Sequence, residues 1–309
     1  MEVDEFEFGQ GSVAELIEAI RAIRIDADPG GQDCFETKSP DWWPGGRTFG
    51  GMVVAQGLNA AIQTVPDGVD LHSLHAYFMR PTPPGIPSRH QVERLRDGRS
   101  FSTRQVTSEV EGKPTFRMMC QFHAPEEGEE YQLSMAGLNA PIGDARHGFG
   151  FPFEMEELGP TERRADGTYR STRRLWFRAG GQLDDDPRLH ACLLAYVSDM
   201  TGAAFRPLSL GSWGTHTDAS LDHSLWFHRP YRADRWTLYE LEAVVNAGGR
   251  ATVRGTMHGE DGTLHTTMAQ ELLIRKLDVP LIFDEPAWLE RQRKRLNEGG
   301  QEESTDGTA

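Results

Sequence analysis

The sequence predicts an α+β protein of two tandem units, each a curled antiparallel sheet wrapped around a central apolar helix. Three observations predict it. The chain repeats its own pattern at an offset of about 150 residues; each half carries one helical segment that is apolar on most sides; and around each helix run alternating segments, punctuated by Gly-containing turns.

The repeat decides the architecture first. At 309 residues the chain exceeds what one hydrophobic core usually organises. AYFMRP, ending at Pro81, parallels LWFHRP, ending at Pro230. DGRSF around Gly98 answers GGRAT around Gly249, and EGKPTF around Gly112 answers DGTLHT around Gly262. MMCQFH, with Gln121, answers TMAQEL, with Gln270. The order and near-constant spacing of these matches indicate a duplicated unit.

In the first half the helix is GGMVVAQGLNAAIQ, beginning near Gly51, and the strands are LHSLHAYF, RHQVERLR, FSTRQVTSEV and PTFRMMCQFH. In the second, a strand through YRSTRRLWFRA precedes a helix expected from about Asp186 to Phe205. SLDHSLWFH, WTLYELEAVV, RATVRGTMH and LHTTMAQELLIRK follow as strands, with hairpin signals at AGGR and EDGT. A helix apolar on most sides suits burial inside a curling sheet, which is the hotdog arrangement, here expected twice. The expected bounds are residues 10–124 for the first unit and 166–278 for the second. Between them, 125–165 is rich in Glu, Gly and Pro and is expected to be a surface linker. The extension 279–309 holds a helix candidate, PAWLERQRKRL, and a tail, NEGGQEESTDGTA, too polar to bury itself.

Composition narrows the class of function. No apolar run approaches the roughly 20 residues that cross a bilayer, and MEVDEFEFGQGSV has neither the basic start nor the apolar stretch of an export signal. A soluble cytoplasmic protein with no membrane insertion is expected. Cys34, Cys120 and Cys192 are scattered among apolar neighbours, as core thiols are, and are too few for a disulfide framework. No CxxC or HExxH spacing occurs, and His72 and His75 have no further ligand nearby in sequence, so no metal is expected. A formal charge of −15, from 47 acidic and 32 basic residues, excludes nucleic acid as a natural partner.

Two polar residues stand out against apolar surroundings. Asp199 follows LHACLLAYVS, where a carboxylate is costly unless it is hydrogen-bonded or its pKa rises. Both outcomes suit a general base, although an Asp near a helix end can equally bond to local backbone. Gln270 shares the apolar face of its strand with Leu264, Thr266, Met268, Leu272 and Ile274. Its amide can accept from a water while donating to a carboxylate, or it can be satisfied by backbone. Ser220 alternates with Asp222, Ser224 and Trp226, so periodicity makes it a solvated residue. His223, between Asp222 and Ser224, invites a hydrolase triad, but no GxSxG elbow exists and residues so close on one strand cannot all converge.

RTFGGMVVAQGLNAA, LHSLHAYFMRPTPPGIP, QVERLRDGRSFSTRQV, AYVSDM, DHSLWFHRP and MAQELLIR, in this order between about Leu16 and Lys276, resemble the motif series of the bacterial acyl-CoA thioesterase II family and its peroxisomal relatives. The resemblance implies a double hotdog that hydrolyses fatty acyl-CoA to fatty acid and CoA, with acyl-CoA as partner and without cofactor or metal. It also implies a catalytic trio at Asp199, Ser220 and Gln270, with serine where the family commonly has threonine. The acidic net charge opposes an anionic CoA ligand at long range, so local basic groups and backbone donors would have to hold it. The first half has Gln121 answering Gln270, but Gln56 and Asn59 in its helix supply no carboxylate, so it is expected to be structural and substrate-lining. Gly50 and Gly51 are expected to let its helix approach the sheet closely. The rival readings are a non-catalytic double hotdog that binds acyl-CoA or scaffolds an assembly, and a hydratase, for which no Asp and His pattern is present. Exposed sheet edges make a homo-oligomer the expected assembly.

Overall fold

The computed structural model describes residues 11–25, 31–42, 46–135, 152–158, 172–205, 207–208 and 215–278. The extension 279–309, with its helix candidate and tail, lies outside the described residues, as do 136–151 and 159–165 of the expected linker and 166–171 of the expected second unit.

The first half opens with α1 (Val13–Ile20), β1 (Ile23–Ile25) and β2 (Asp33–Lys38), none of which the alternation pattern announces. A local signal for α1 exists in SVAE: the Glu15 N–H donates to Ser12 Oγ, and the Ser12 N–H donates to Glu15 Oε2 at 2.7 Å. This reciprocal cap satisfies two N–H groups that a helix start leaves open. Then come α2 (Gly50–Ile62), β3 (Asp70–Phe78), β4 (Pro87–Asp97), β5 (Phe101–Val110) and β6 (Lys113–His123). The second half holds β7 (Phe153–Glu157), β8 (Thr172–Ala179), α3 (Pro187–Ser198), β9 (His216–Ser220), β10 (Asp222–Phe227), β11 (Thr237–Ala247), β12 (Arg250–Gly259) and β13 (Leu264–Lys276). β7 falls inside the stretch expected as linker; its Phe153 and Met155 are buried, and it pairs with β8.

All the strands among the described residues join one antiparallel sheet in the order β1-β2-β4-β5-β6-β3-β10-β13-β12-β11-β8-β7, with β9 also paired to β13. The two halves meet where β3 pairs with β10, Leu74 opposite Leu225. From that junction outward, β6-β5-β4 on one side correspond to β13-β12-β11 on the other. α2 carries Val54, Ala55, Leu58, Ala60 and Ala61 with no exposed surface, which explains why it is apolar on most sides. Gln56 and Asn59 are used locally: Gln56 donates to the Ala19 carbonyl at 2.7 Å, and Asn59 accepts from the Ala22 N–H at 2.9 Å, tying α1 to α2. The fully buried Arg104 of β5 donates to the Thr64 carbonyl at 2.9 Å and to Asp97 at 2.6 Å, which fixes the far end of α2 against the sheet.

Two expectations change. α3 ends at Ser198, and a separate 3-10 turn covers Gly202–Phe205, so the long helix to Phe205 is broken at Asp199. The pairing of Gln121 with Gln270 also fails in space. Gln121 is exposed on β6, whereas Gln270 is buried on β13. Arg104 faces Cys120 across the β5–β6 ladder, and Val253 faces Gln270 across β12–β13. Since Arg104 and Val253 hold equivalent buried places on their strands, the counterpart of Gln270 is Cys120. The cause is the hairpin. Both ladders shift register near their turns, at Ser108/Glu109 and at Met257/His258, but Glu111 and Gly112, both at positive φ, make a two-residue turn between β5 and β6, whereas the Gly259 N–H donates to the Thr263 carbonyl across a loop one residue longer between β12 and β13. A net slip of one residue moves every side chain to the other face.

Candidate active site

α3 starts with Asp186 as its cap, accepting from the Arg188 N–H at 2.9 Å, and Pro187 occupies the first turn. Its buried length, Cys192 through Ser198, carries the chain inward to Asp199, which ends the helix and is only 7% exposed. A helix end leaves carbonyls, not N–H groups, without partners, so it offers this carboxylate little. Donors therefore come from elsewhere in the chain. Ser220 Oγ donates to Asp199 Oδ1 at 2.9 Å, Gln270 Nε2 donates to the same oxygen at 2.5 Å, and the backbone N–H of Gly51 donates to the carboxylate. Asp199 and Gln270, which stood out against their apolar surroundings, and Ser220, which only the family resemblance pointed to, thus meet in one cluster.

Burial is the largest influence on Asp199 and pushes its pKa up to about 6, with nearby Asp218 adding to the rise. The bonds from Gln270, Ser220 and Gly51 oppose it without cancelling it. The group is therefore ionised at neutral pH yet basic enough to take a proton. Asp218 is itself raised by burial, countered by the Arg47 guanidinium, which also donates to the Asp218 carbonyl at 2.7 Å.

Ser220 reaches the cluster through a bulge. Ser220 lies opposite Leu272 and Ser224 opposite Ala269, so four steps along β9 and β10 face three along β13. The extra residue lies in the Leu221 region, where the Leu221 N–H donates to the Glu271 carbonyl and the Glu271 N–H donates to Asp222 Oδ1. Beyond it the inward residues are His223 and Leu225; before it, Ser220 points inward. The alternation that made Ser220 a solvated residue holds on β10 and reverses on β9.

Gly50 and Gly51 bring the first half to the site. A Cβ on Gly51 would collide with the Tyr196 carbonyl oxygen, and one on Gly50 would sit 2.5 Å from Asp199 Oδ2 and 3.3 Å from the Phe78 ring. The close approach they permit is thus chiefly to α3, where an approach to the sheet was expected. It sets the N-terminus of α2, the positive end of its dipole, beside the carboxylate. Phe49 packs edge-on to Tyr196 at 5.2 Å and holds this helix junction.

The Asp222, His223 and Ser224 group does not converge: Asp222 accepts from Glu271, His223 Nε2 lies 2.8 Å from Ser198 Oγ, and Ser224 meets His75. Among the described residues no three His, Cys, Asp or Glu side chains are grouped to hold a metal ion, and no helix is long and apolar enough to cross a membrane. Sequence reasoning missed the Gly51 N–H and Asp218. The Gly-Gly pair at a helix start was the available signal for the first, and nothing local marks the second.

Residues 39–123 match the family model of the acyl-CoA thioesterase N-terminal domain, and residues 125–274 match that of the C-terminal domain. The chain is 34% identical to human acyl-coenzyme A thioesterase 8 over 282 residues, covering 81% of this chain and 87% of that protein. It is 34% identical to acyl-CoA thioesterase 2 of Haemophilus influenzae over 251 residues, covering 74% of this chain and 88% of the other. The crystal structure of the acyl-CoA thioesterase II TesB2 from Mycobacterium marinum superposes with a TM-score of 0.72 at 32% identity, over 85% of this chain and 98% of that one. A hot dog fold protein of unknown function from Alicyclobacillus acidocaldarius, 16% identical, superposes with a TM-score of 0.67 over 84% of this chain and 97% of that one, a likeness of fold alone. Two consecutive domain models and relatives matched over most of their length lead to one assignment: the chain belongs to the acyl-CoA thioesterase II family.

Proposed function

We propose that this protein hydrolyses fatty acyl-CoA to free fatty acid and CoA, with Asp199 as general base toward the attacking water. The observation that carries the reading is a buried carboxylate with a pKa of about 6, held on Oδ1 by Ser220 and Gln270. With Oδ1 occupied, Oδ2 is the oxygen with lone pairs for a proton. The Ser220 oxygen and the second N–H of Gln270 are left to position the water, which places nucleophile and base within one cluster. Negative charge developing on the thioester oxygen needs donors, for which backbone N–H groups are suited. No covalent intermediate is required.

The architecture behind this reading is a tandem double hotdog, with units at 10–124 and 166–278 around α2 and α3. Support comes from the internal repeat and from the corresponding strand orders on either side of the β3–β10 junction. The first unit supplies no carboxylate but contributes the Gly51 N–H, so its role extends past substrate lining. A cytoplasmic location fits three buried free thiols, and a homo-oligomer fits the exposed edge β1. A place in lipid and fatty acid metabolism follows from the proposed substrate.

The test is incubation with a panel of saturated and enoyl-CoAs, following free thiol and double-bond absorbance together. Thiol release by wild type and its loss in Asp199→Asn are expected. Tight acyl-CoA binding without release would instead support the non-catalytic binding or scaffold reading, and loss of the double bond without thiol would support a hydratase.

A further inference from the structure

His223 is buried with no exposed surface, and the mechanism above gives it no task. The register places it beside Gln270: Ser224 lies opposite Ala269, and one step further along the two antiparallel strands are His223 and Gln270, both directed inward. Such cross-strand neighbours have Cβ atoms about 5 Å apart. Two buried polar atoms in this pair have no other partner, His223 Nδ1 and Gln270 Oε1.

The Gln270 amide must face Asp199 with its NH2, because an amide oxygen there would meet a carboxylate. That orientation buries Oε1 and requires a donor for it. We propose that His223 is a positioning residue whose Nδ1–H donates to Gln270 Oε1 and so holds the amide with its NH2 on Asp199. The inference rests on the reading that Gln270 serves Asp199.

The ring's other nitrogen completes the chain. Nε2 lies 2.8 Å from Ser198 Oγ, whose single proton is contested by the Ala195 carbonyl at 2.9 Å. If that proton went to Ala195, Nε2 would carry the ring proton, and a bare Nδ1 would face Oε1, leaving two acceptors without a donor. With the proton on Nδ1, both are satisfied and only the Ala195 contact is weakened. Burial holds the imidazole neutral by lowering its pKa to about 4, and the Gln270 amide opposes this, the sign expected of an oxygen accepting from the ring. Ser198 is the residue before Asp199, and its carbonyl accepts from Tyr239 Oη at 2.7 Å, so the support of the amide is anchored where α3 ends.

The test has two arms. In ¹⁵N NMR of the wild-type protein, His223, assigned by the signal missing from His223→Asn, should show a protonated Nδ1 and a bare Nε2 without titrating between about pH 5 and 8. The opposite tautomer, or an imidazolium at neutral pH, overturns the proposal. In kinetics, His223→Ala should lower kcat about tenfold with KM changed less than about twofold, and should move the acid limb of the rate profile to higher pH as Asp199 loses a donor. His223→Asn, whose NH2 can replace Nδ1–H, should recover most of the rate. Adding His223→Ala to Gln270→Ala should cost nothing further. Additive losses with an unmoved acid limb would mean that His223 is only structural. Should His223→Ala fail to fold, the Asn variant and the tautomer still decide. A wild-type protein that releases no thiol but shows the Nδ1–H tautomer would sink the thioesterase reading and leave the bond between His223 and Gln270 standing.

Discussion

A side chain at Gly50 would put its Cβ 2.5 Å from Oδ2 of Asp199, although 149 residues separate the two in sequence. Gly50→Ala should therefore act on the carboxylate, lowering turnover with a modest loss of stability. Gly51→Ala, whose Cβ meets the unyielding Tyr196 carbonyl, should act on the fold, costing on the order of 1 to 3 kcal/mol as α2 and α3 are forced apart. Thermal melts beside steady-state rates separate the two, and an unaltered melt for Gly51→Ala would contradict the helix contact.

Replacing the base should trade activity for stability. Asp199→Asn should lower turnover on the order of 10² to 10⁴ while keeping the fold. The folded-state pKa of about 6 exceeds the unfolded value of 3.8, so the native state binds the extra proton between them. The stability contribution of this group is thus full below the unfolded value and is lost as pH rises through about 6. Asp199→Asn should melt higher than wild type at pH 7 to 8 and show no such gain at about pH 4. The ceiling is about 3 kcal/mol for a shift of this size; the gain should fall short of it, since an Asn side chain has a single oxygen to accept the bonds that the carboxylate takes from Gln270, Ser220 and Gly51. A wild-type melt above that of the Asn variant at pH 8 would show that the buried charge is not destabilising.

The same ionisation sets the pH dependence of the reaction. The base works only when deprotonated, so kcat/KM should rise with pH through about 6 and level off above it. His223, neutral across this range, should add no limb of its own. A profile flat down to pH 4.5 would remove Asp199 as the titrating base.

At the neighbouring hydroxyl, Ser220→Thr should be tolerated because the donor to Oδ1 is kept. Ser220→Ala should slow turnover by less than loss of the base, since Gln270 still holds the same oxygen. Activity in the Ala variant equal to wild type would show the hydroxyl to be dispensable.

Gln270→Ala should lower turnover by about 10- to 100-fold with little change in KM, as for a group acting mainly in the transition state. Gln121→Ala should change neither rate nor stability by much, within about 0.5 kcal/mol, because that side chain is exposed. Loss of turnover in a folded Gln121→Ala variant, with Gln270→Ala active, would place the site in the wrong half.

How far the sequence alone reached follows from which signals are local. Alternation and Gly-marked turns depend on neighbouring residues, so FSTRQVTSEV and LHTTMAQELLIRK coincide with β5 and β13 from end to end, and GGMVVAQGLNAAIQ runs one residue past α2. Asp199 and Gln270 were legible for the same reason, as polar groups in apolar periods. Ser220 entered only through a family resemblance, since the bulge near Leu221 inverts the face its period assigns, and a bulge is set by the partner strand. Gln121 failed for the converse reason: a hairpin with a different turn shifted β13 by one residue relative to its repeat. The Gly-Gly pair marked a close approach, but which group the Gly51 N–H meets, the crowding of Gly50 against Asp199 and the extent of the carboxylate's pKa rise were decided by tertiary structure. Each depends on how deeply α3 is buried and on which helix end meets which, and distances between segments remote in the chain leave no mark on local sequence.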